Sequence, residues 1–261
     1  STADIAFCEE SQIKVTKTWT KENAYKILIE ALGTFALPVD DSITLTTDMF
    51  TLTESSYLIG KNEDGSLYSY VCEHKELTET TCNICGSKMM FTVCDANGTI
   101  TYHKDFQAAI DKAEMLEGST ITPLQDITLE EFSTGNSGSF TIDLDNKTLT
   151  NDSSILQVDE NSSGGNATIV ITNGTMKSIN TAPIFIGGGT AIVDNGTYQG
   201  NYAVYLSWGT LKLKNAPIFD TTSANIVYFG GLLNLSEWLG ETLTIQIDSS
   251  LEESNLVLPT D

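Results

Sequence analysis

The chain has 261 residues, 40% of them hydrophobic, enough for a core in one large domain or in two unequal ones. Its 35 acidic residues stand against 13 basic ones, all lysine, for a formal net charge of −22. With no arginine and no basic run, the composition argues against nucleic acid and anionic membrane surfaces as partners, and leaves room for cations such as Ca²⁺.

No segment reaches the roughly 20 apolar residues of a membrane span, and the opening "STADIAFCEE" lacks the basic and apolar regions of a leader. Few basic residues and abundant Thr, Asn, Ser and Gly predict an extracellular setting, secreted or at a cell surface. Residues 1–70 read as a small β domain. "QIKVTKTWT" and "SITLTTDMFTL" alternate apolar residues with threonine, and "YLIGKNEDGSLYSYV" holds two strand-like runs around an Asn-Glu-Asp-Gly turn. "NAYKILIEALG" fits either a helix or a strand.

Residues 71–95 carry four of the five cysteines and one of the two histidines. The pattern is Cys72-x-His74, then Cys82-x-x-Cys85-Gly86. Two thiolates two residues apart can face one ion while the turn's amides bond to the sulfurs, and Gly86 can take the positive φ that closes such a turn. Cys72 and His74, at i and i+2, share one side of an extended segment and can complete a tetrahedron. The set predicts structural zinc; the competing reading is disulfides, the usual fate of extracellular thiols. Cys8 and Cys94 then either pair with each other or stay buried. Four protein ligands leave no open position, so the site is expected to staple the segment and not to catalyse.

Residues 96–261 begin with a helix. In "YHKDFQAAIDKAEMLEG", Phe106, Ala109, Ile110 and Ala113 recur at i, i+3, i+4 and i+7, with Asp105 as N-cap and Gly118 as stop, which predicts an amphipathic helix over 105–118. A repeat follows. "IFIGGGTAIVDNGTY" from Ile184, "VYLSWGTLKLKNAPI" from Val204 and "IVYFGGLLNLSEWLG" from Ile226 align without gaps, and "SFTIDLDNKTL" and "NATIVITNGTM" match the second half of the unit. Ile142, Ile169, Ala191, Leu211 and Leu233 form one apolar column, and Leu144, Ile171, Val193, Leu213 and Leu235 another. Asp145, Thr172, Asp194, Lys214 and Ser236 form an outward column, and Asn146, Asn173, Asn195 and Asn215 follow at the turn. Alternation of period 2 inside a period of 20–22 means coils whose inward residues stack on those of the next coil. The asparagines fit left-handed corners. The prediction is a parallel β-helix with the 105–118 helix covering one open end.

The run "DFQAAIDKAEMLEGSTITPLQDITL", followed by Gly-Thr-φ-x-φ-x-Asn-Gly rungs (φ apolar), resembles the right-handed β-helix (pectin-lyase-like) domains of Gram-positive bacterial surface proteins. "CEHKELTETTCNICG" resembles the small Cys-x-His…Cys-x-x-Cys-Gly elements found among them, and "VTKTW" is similar to their sandwich repeats. The resemblance implies a mainly β chain with a sandwich-like domain, a zinc-knuckle linker and a right-handed β-helix. It implies no single activity, because that fold carries lyases, hydrolases, adhesins and inert stalks.

The lyases of the fold resemble one another in using an Arg or Lys base with Asp-bound Ca²⁺. Here arginine is absent, and no acidic cluster flanks Lys212 or Lys214 in the sequence. Glycoside hydrolysis needs converging carboxylates. Asp145 and Asp194, two coils apart at about 4.8 Å per coil, would stand roughly 10 Å from each other. One outward feature favours binding. Phe185 and Tyr205 occupy one column on adjacent coils, Val227 follows, and Trp208 stands at the next corner, where they either hold a sugar ring or protein surface or lie under a loop. The expected function is a non-enzymatic, adhesive or architectural extracellular module that recognises a neutral glycan or a protein. The alternative is a carbohydrate-active enzyme of the β-helix fold or its substrate-binding part.

Overall fold

The computed structural model describes residues 67–159, 166–249 and 255–259, together with strand segments 5–7, 27–29, 33–35, 50–52 and 57–61. The chain divides into two compact units, Ser1–Lys88 and Met89–Asp261.

In the first unit, Ile5–Phe7, Ile27–Ile29 and Phe50–Leu52 form a parallel sheet, so the ambiguous "NAYKILIEALG" contributes a strand. Tyr57–Lys61 pairs antiparallel with Leu67–Val71, and Gly33–Phe35 pairs antiparallel with the other side of Leu67–Val71. The segment "QIKVTKTWT" and Cys8 lie outside the described residues.

The second unit is a parallel β-solenoid of about six turns, and half of the molecule is strand. Each of the first five turns contributes one strand to each of three sheets, and the sixth contributes to the first and third. A turn runs through Thr190–Asp194 in the first sheet, Thr197–Gly200 in the second and Val204–Leu206 in the third, then enters the next turn at Thr210. Odd and even residues of each strand point oppositely, and one set is apolar, so the inward set stacks into columns. Phe140, Ile169, Ala191, Leu211 and Leu233 form one such column, and all are buried.

At one corner Asn173, Asn195 and Asn215 have φ of 53°, 57° and 55°. The short amide side chain tolerates this left-handed geometry, as the sequence predicts. Gly189, Gly209 and Gly231 stack at another corner with φ of 57°, 72° and 80°. A Cβ at Gly209 would lie 2.5 Å from the Gly189 carbonyl oxygen, so this corner accepts glycine alone.

Two registers differ from the sequence alignment. Ile142 pairs with Ile171, and Asp143 with Thr172, so the first rung is displaced by two residues. Its corner holds four residues, Leu144–Lys147, where the next holds only Asn173 and Gly174. A two-residue insertion preserves the inward and outward parity, so the apolar pattern does not reveal it. At the other end a bulge places Glu237, and not Ser236, opposite Lys214.

The helix spans Phe106–Glu114, with the Asp105 carboxylate accepting from the Ala108 N–H at 2.7 Å. It stops before Gly118 because the chain tightens after Ala113: the Leu116 N–H donates to the Ala113 carbonyl, and the Gly118 N–H to Ser139 of the sheet. Phe106, Ala109, Ile110 and Ala113 bury their side chains against the first coil, and the Phe106 ring stacks on Phe91 at 5.0 Å. Phe91–Cys94 and Ile100–His103 extend the first sheet beyond Ser119–Pro123 as antiparallel strands. The opposite end is more open. Ile247 and Leu256 belong to core-facing columns yet are 59% and 46% exposed.

Candidate functional site

Two constellations stand out, one in each unit. In the first unit a short hairpin, Leu77–Thr78 with Thr81–Cys82, returns the chain on itself through Glu79 in the left-handed region. The Gly86 N–H donates to the Cys82 carbonyl at 2.8 Å, and Gly86 takes φ 72°, which closes the Cys82-x-x-Cys85 knuckle. Cys72 Sγ lies 3.6 Å from Cys82 Sγ, and His74 Nδ1 lies 3.3 Å from Cys85 Sγ. All four ligand atoms fall within 4.8 Å of one another. Zinc bonds of about 2.3 Å to sulfur and 2.0 Å to nitrogen give tetrahedral edges of roughly 3.8 Å and 3.5 Å. The donor set and its spacing therefore fit one tetrahedral metal ion.

Cys72, His74 and Cys82 are buried and Cys85 is half-buried. Burial pushes the Cys72 thiol up to about 11, although a backbone hydrogen bond from His74 works against it. Burial acts in the same direction at Cys85, but hydrogen bonds, those from Ser87 foremost, outweigh it and bring that thiol below its ordinary value. Thiolates are the ligating form, so a bound divalent ion displaces these protons. Cys94 is a free, half-buried thiol on the solenoid. Among the described residues this is the only grouping of three or more His, Cys, Asp or Glu ligands, and the carboxylates do not gather as Ca²⁺ would require.

The second constellation lies on the third sheet. Gln157, Phe185, Tyr205, Val227 and Gln246 occupy one outward column on five successive coils. Phe185 and Tyr205, brought side by side as expected, have ring centroids 6.5 Å apart. Two residues not foreseen from the sequence join them: Tyr202 at 5.2 Å and Phe229 at 6.1 Å from Tyr205. Both sit just outside the strands: Tyr202 precedes the aligned unit, and Phe229 falls at an aligned corner position held by Gly187 and Ser207 on the preceding coils. Trp208 is 70% exposed at the following corner and makes none of these ring contacts. Val227 is only 3% exposed, whereas Phe229, two residues on, is 43% exposed. Burial first, and the neighbouring Tyr202 second, raise the Tyr205 hydroxyl above its ordinary value.

The outward acids of the first sheet are engaged at the corner. Asp143 Oδ1 accepts from Asn173 Nδ2 of the next coil at 2.8 Å, and Asp194 Oδ1 accepts from Asn215 Nδ2 in the same way. The asparagine column thus bonds from coil to coil through aspartate. Lys214 lies 3.8 Å from Asp194, its neighbour in the aligned column, and Lys212 pairs with Glu237, an acidic neighbour that the alignment did not show. Asp143 and Asp194 share a column with Thr172 between them, which separates them by roughly 10 Å, beyond the usual spacing of a hydrolytic pair.

No protein-family model, curated protein or solved structure matches the chain. Among the described residues no helix is long and apolar enough to cross a membrane.

Proposed function

We propose that this protein is a non-enzymatic extracellular module, adhesive or architectural, that acts at a bacterial surface or after secretion and recognises a neutral glycan or a protein through the third face of its solenoid. The observation that carries this reading is the aromatic cluster centred on Tyr205, held outward on a rigid sheet with Trp208 exposed beside it. Rigid aromatic surface binds at low entropic cost. The net charge of −22 favours a neutral or cationic partner. The Cys/His cluster holds structural zinc in this reading and staples a segment too small to fold unaided. Likeness to right-handed, pectin-lyase-like surface domains supports the same setting and rests on the capping run and the Gly-Thr rungs.

Incubating the protein with arrayed glycans and with cell-surface proteins tests the reading. Binding without product is expected, and replacing Tyr205 and Trp208 together by alanine should weaken it by more than about 2 kcal/mol at an unchanged melting temperature. Formation of cleaved sugar would replace this reading with that of a carbohydrate-active enzyme.

A further inference from the structure

Each strand of the third sheet has only three residues, placed inward, outward and inward, as in Val204–Tyr205–Leu206 and Ile184–Phe185–Ile186. That face therefore presents a single file of side chains running along the solenoid. Coils about 4.8 Å apart make the file from Gln157 to Gln246 roughly 19 Å long. Beyond Thr134 of the first coil, an amide, an aromatic middle and a second amide follow one another to the far end. Gln157 Nε2 donates to Asp159 Oδ2 at 2.9 Å, which fixes the first amide. Phe185 and Tyr205 follow, and Phe229 carries the track on the fourth coil where Val227 is covered. Gln246 lies exposed at the far end.

We infer that this track binds an extended, uncharged polysaccharide lying along the solenoid axis, a narrower claim that rests on the recognition reading above. A protein partner typically needs roughly 800 Å² of packed surface on each side, and a narrow track roughly 19 Å long does not supply it, even with Tyr202 and Trp208 beside it. A linear sugar chain matches it better. Pyranose rings stack their C–H faces on aromatic rings, their hydroxyls bond to amides, and one ring is about as long as one coil spacing. The acidic surface repels polyanions and leaves neutral chains admissible.

Affinity electrophoresis against hydroxyethyl cellulose, galactomannan, dextran and a neutral β-1,3-glucan tests the inference, with carboxymethyl cellulose as an anionic control. At least one neutral polymer should retard the protein. Tyr205→Ala and Phe229→Ala should each raise Kd at least tenfold, and Gln246→Ala several-fold. Short oligosaccharides of the bound polymer should bind progressively better as they lengthen to about four sugars. If Tyr205→Ala fails to fold, the exposed Phe229 and Gln246 variants decide. Equal binding of the anionic form, or binding indifferent to Phe229 and Gln246, overturns the inference. Binding only to a basic protein through the same residues overturns the glycan and leaves the recognition reading standing. Binding to neither class removes both.

Discussion

Tyr198 is the largest fully buried side chain of the solenoid, and its hydroxyl donates to the Ile171 carbonyl of the preceding coil at 3.2 Å. Burial, and secondarily the negative Asp194, raise this hydroxyl far above its ordinary value. Unfolded tyrosine ionises near pH 10. Because the folded value is raised, the stabilisation is fully present below about pH 10 and is lost progressively as pH rises beyond it. Tyr198→Phe should cost about 1 kcal/mol at pH 7 through the lost hydrogen bond and should flatten the alkaline decline. Denaturant titrations at pH 8 and 11 measure both effects. Equal alkaline losses in the two proteins would clear Tyr198 of the role.

The cap works through a side chain that imitates a strand. Gln107 Oε1 accepts from the Thr134 N–H at 2.8 Å, and Gln107 Nε2 donates to the Thr134 carbonyl at 2.9 Å. Thr134 lies on the outermost strand of the third sheet, whose edge would otherwise be bare. Glu114 does the same for the chain beyond it, accepting from the N–H groups of Asn136 and Ser137. Gln107→Ala should therefore cost about 1–3 kcal/mol, since it orphans a backbone donor and acceptor together. Gln199→Ala, which breaks only an exposed contact with Asp220, should stay within about 0.5 kcal/mol. Thermal melts of the two variants separate these outcomes, and comparable damage from both would remove the edge-clamp account.

At the scale of the whole molecule, the four candidate metal ligands lie between residues 72 and 85, inside the unit Ser1–Lys88, while the hydrophobic core cluster of the described residues lies within Met89–Asp261. Metal removal should then act on one unit. Protein purified without added zinc should carry about one equivalent. Chelation should release three thiols to a thiol reagent and open the 71–88 segment to protease, with the melting of the solenoid unchanged. Disulfides among Cys72, Cys82 and Cys85 in the mass spectrum would refute the zinc site.

What the sequence determined by itself is whatever a local period encodes. Alternation within a 20–22-residue repeat fixes which side chains of the solenoid point inward, and Leu211, Leu213, Ala191 and Val193 are all buried as their parity requires. The i, i+3, i+4 spacing names the buried face of the cap. Cys72-x-His74 and Cys82-x-x-Cys85 name the candidate metal ligands because each pair is close in sequence and its geometry is set locally, by a few backbone dihedrals. Only the tertiary structure decided how far each corner runs. The two extra residues at Leu144–Lys147 move Asp143, and not Asp145, beside Thr172, and the bulge brings Glu237 to Lys214. The two-residue insertion leaves hydrophobic parity intact and so no mark in the apolar pattern, and the one-residue bulge falls after Leu235, past the last buried position of its strand. Tyr202 and Phe229 meet Tyr205 for the same reason: corner geometry, and not strand period, sets their positions.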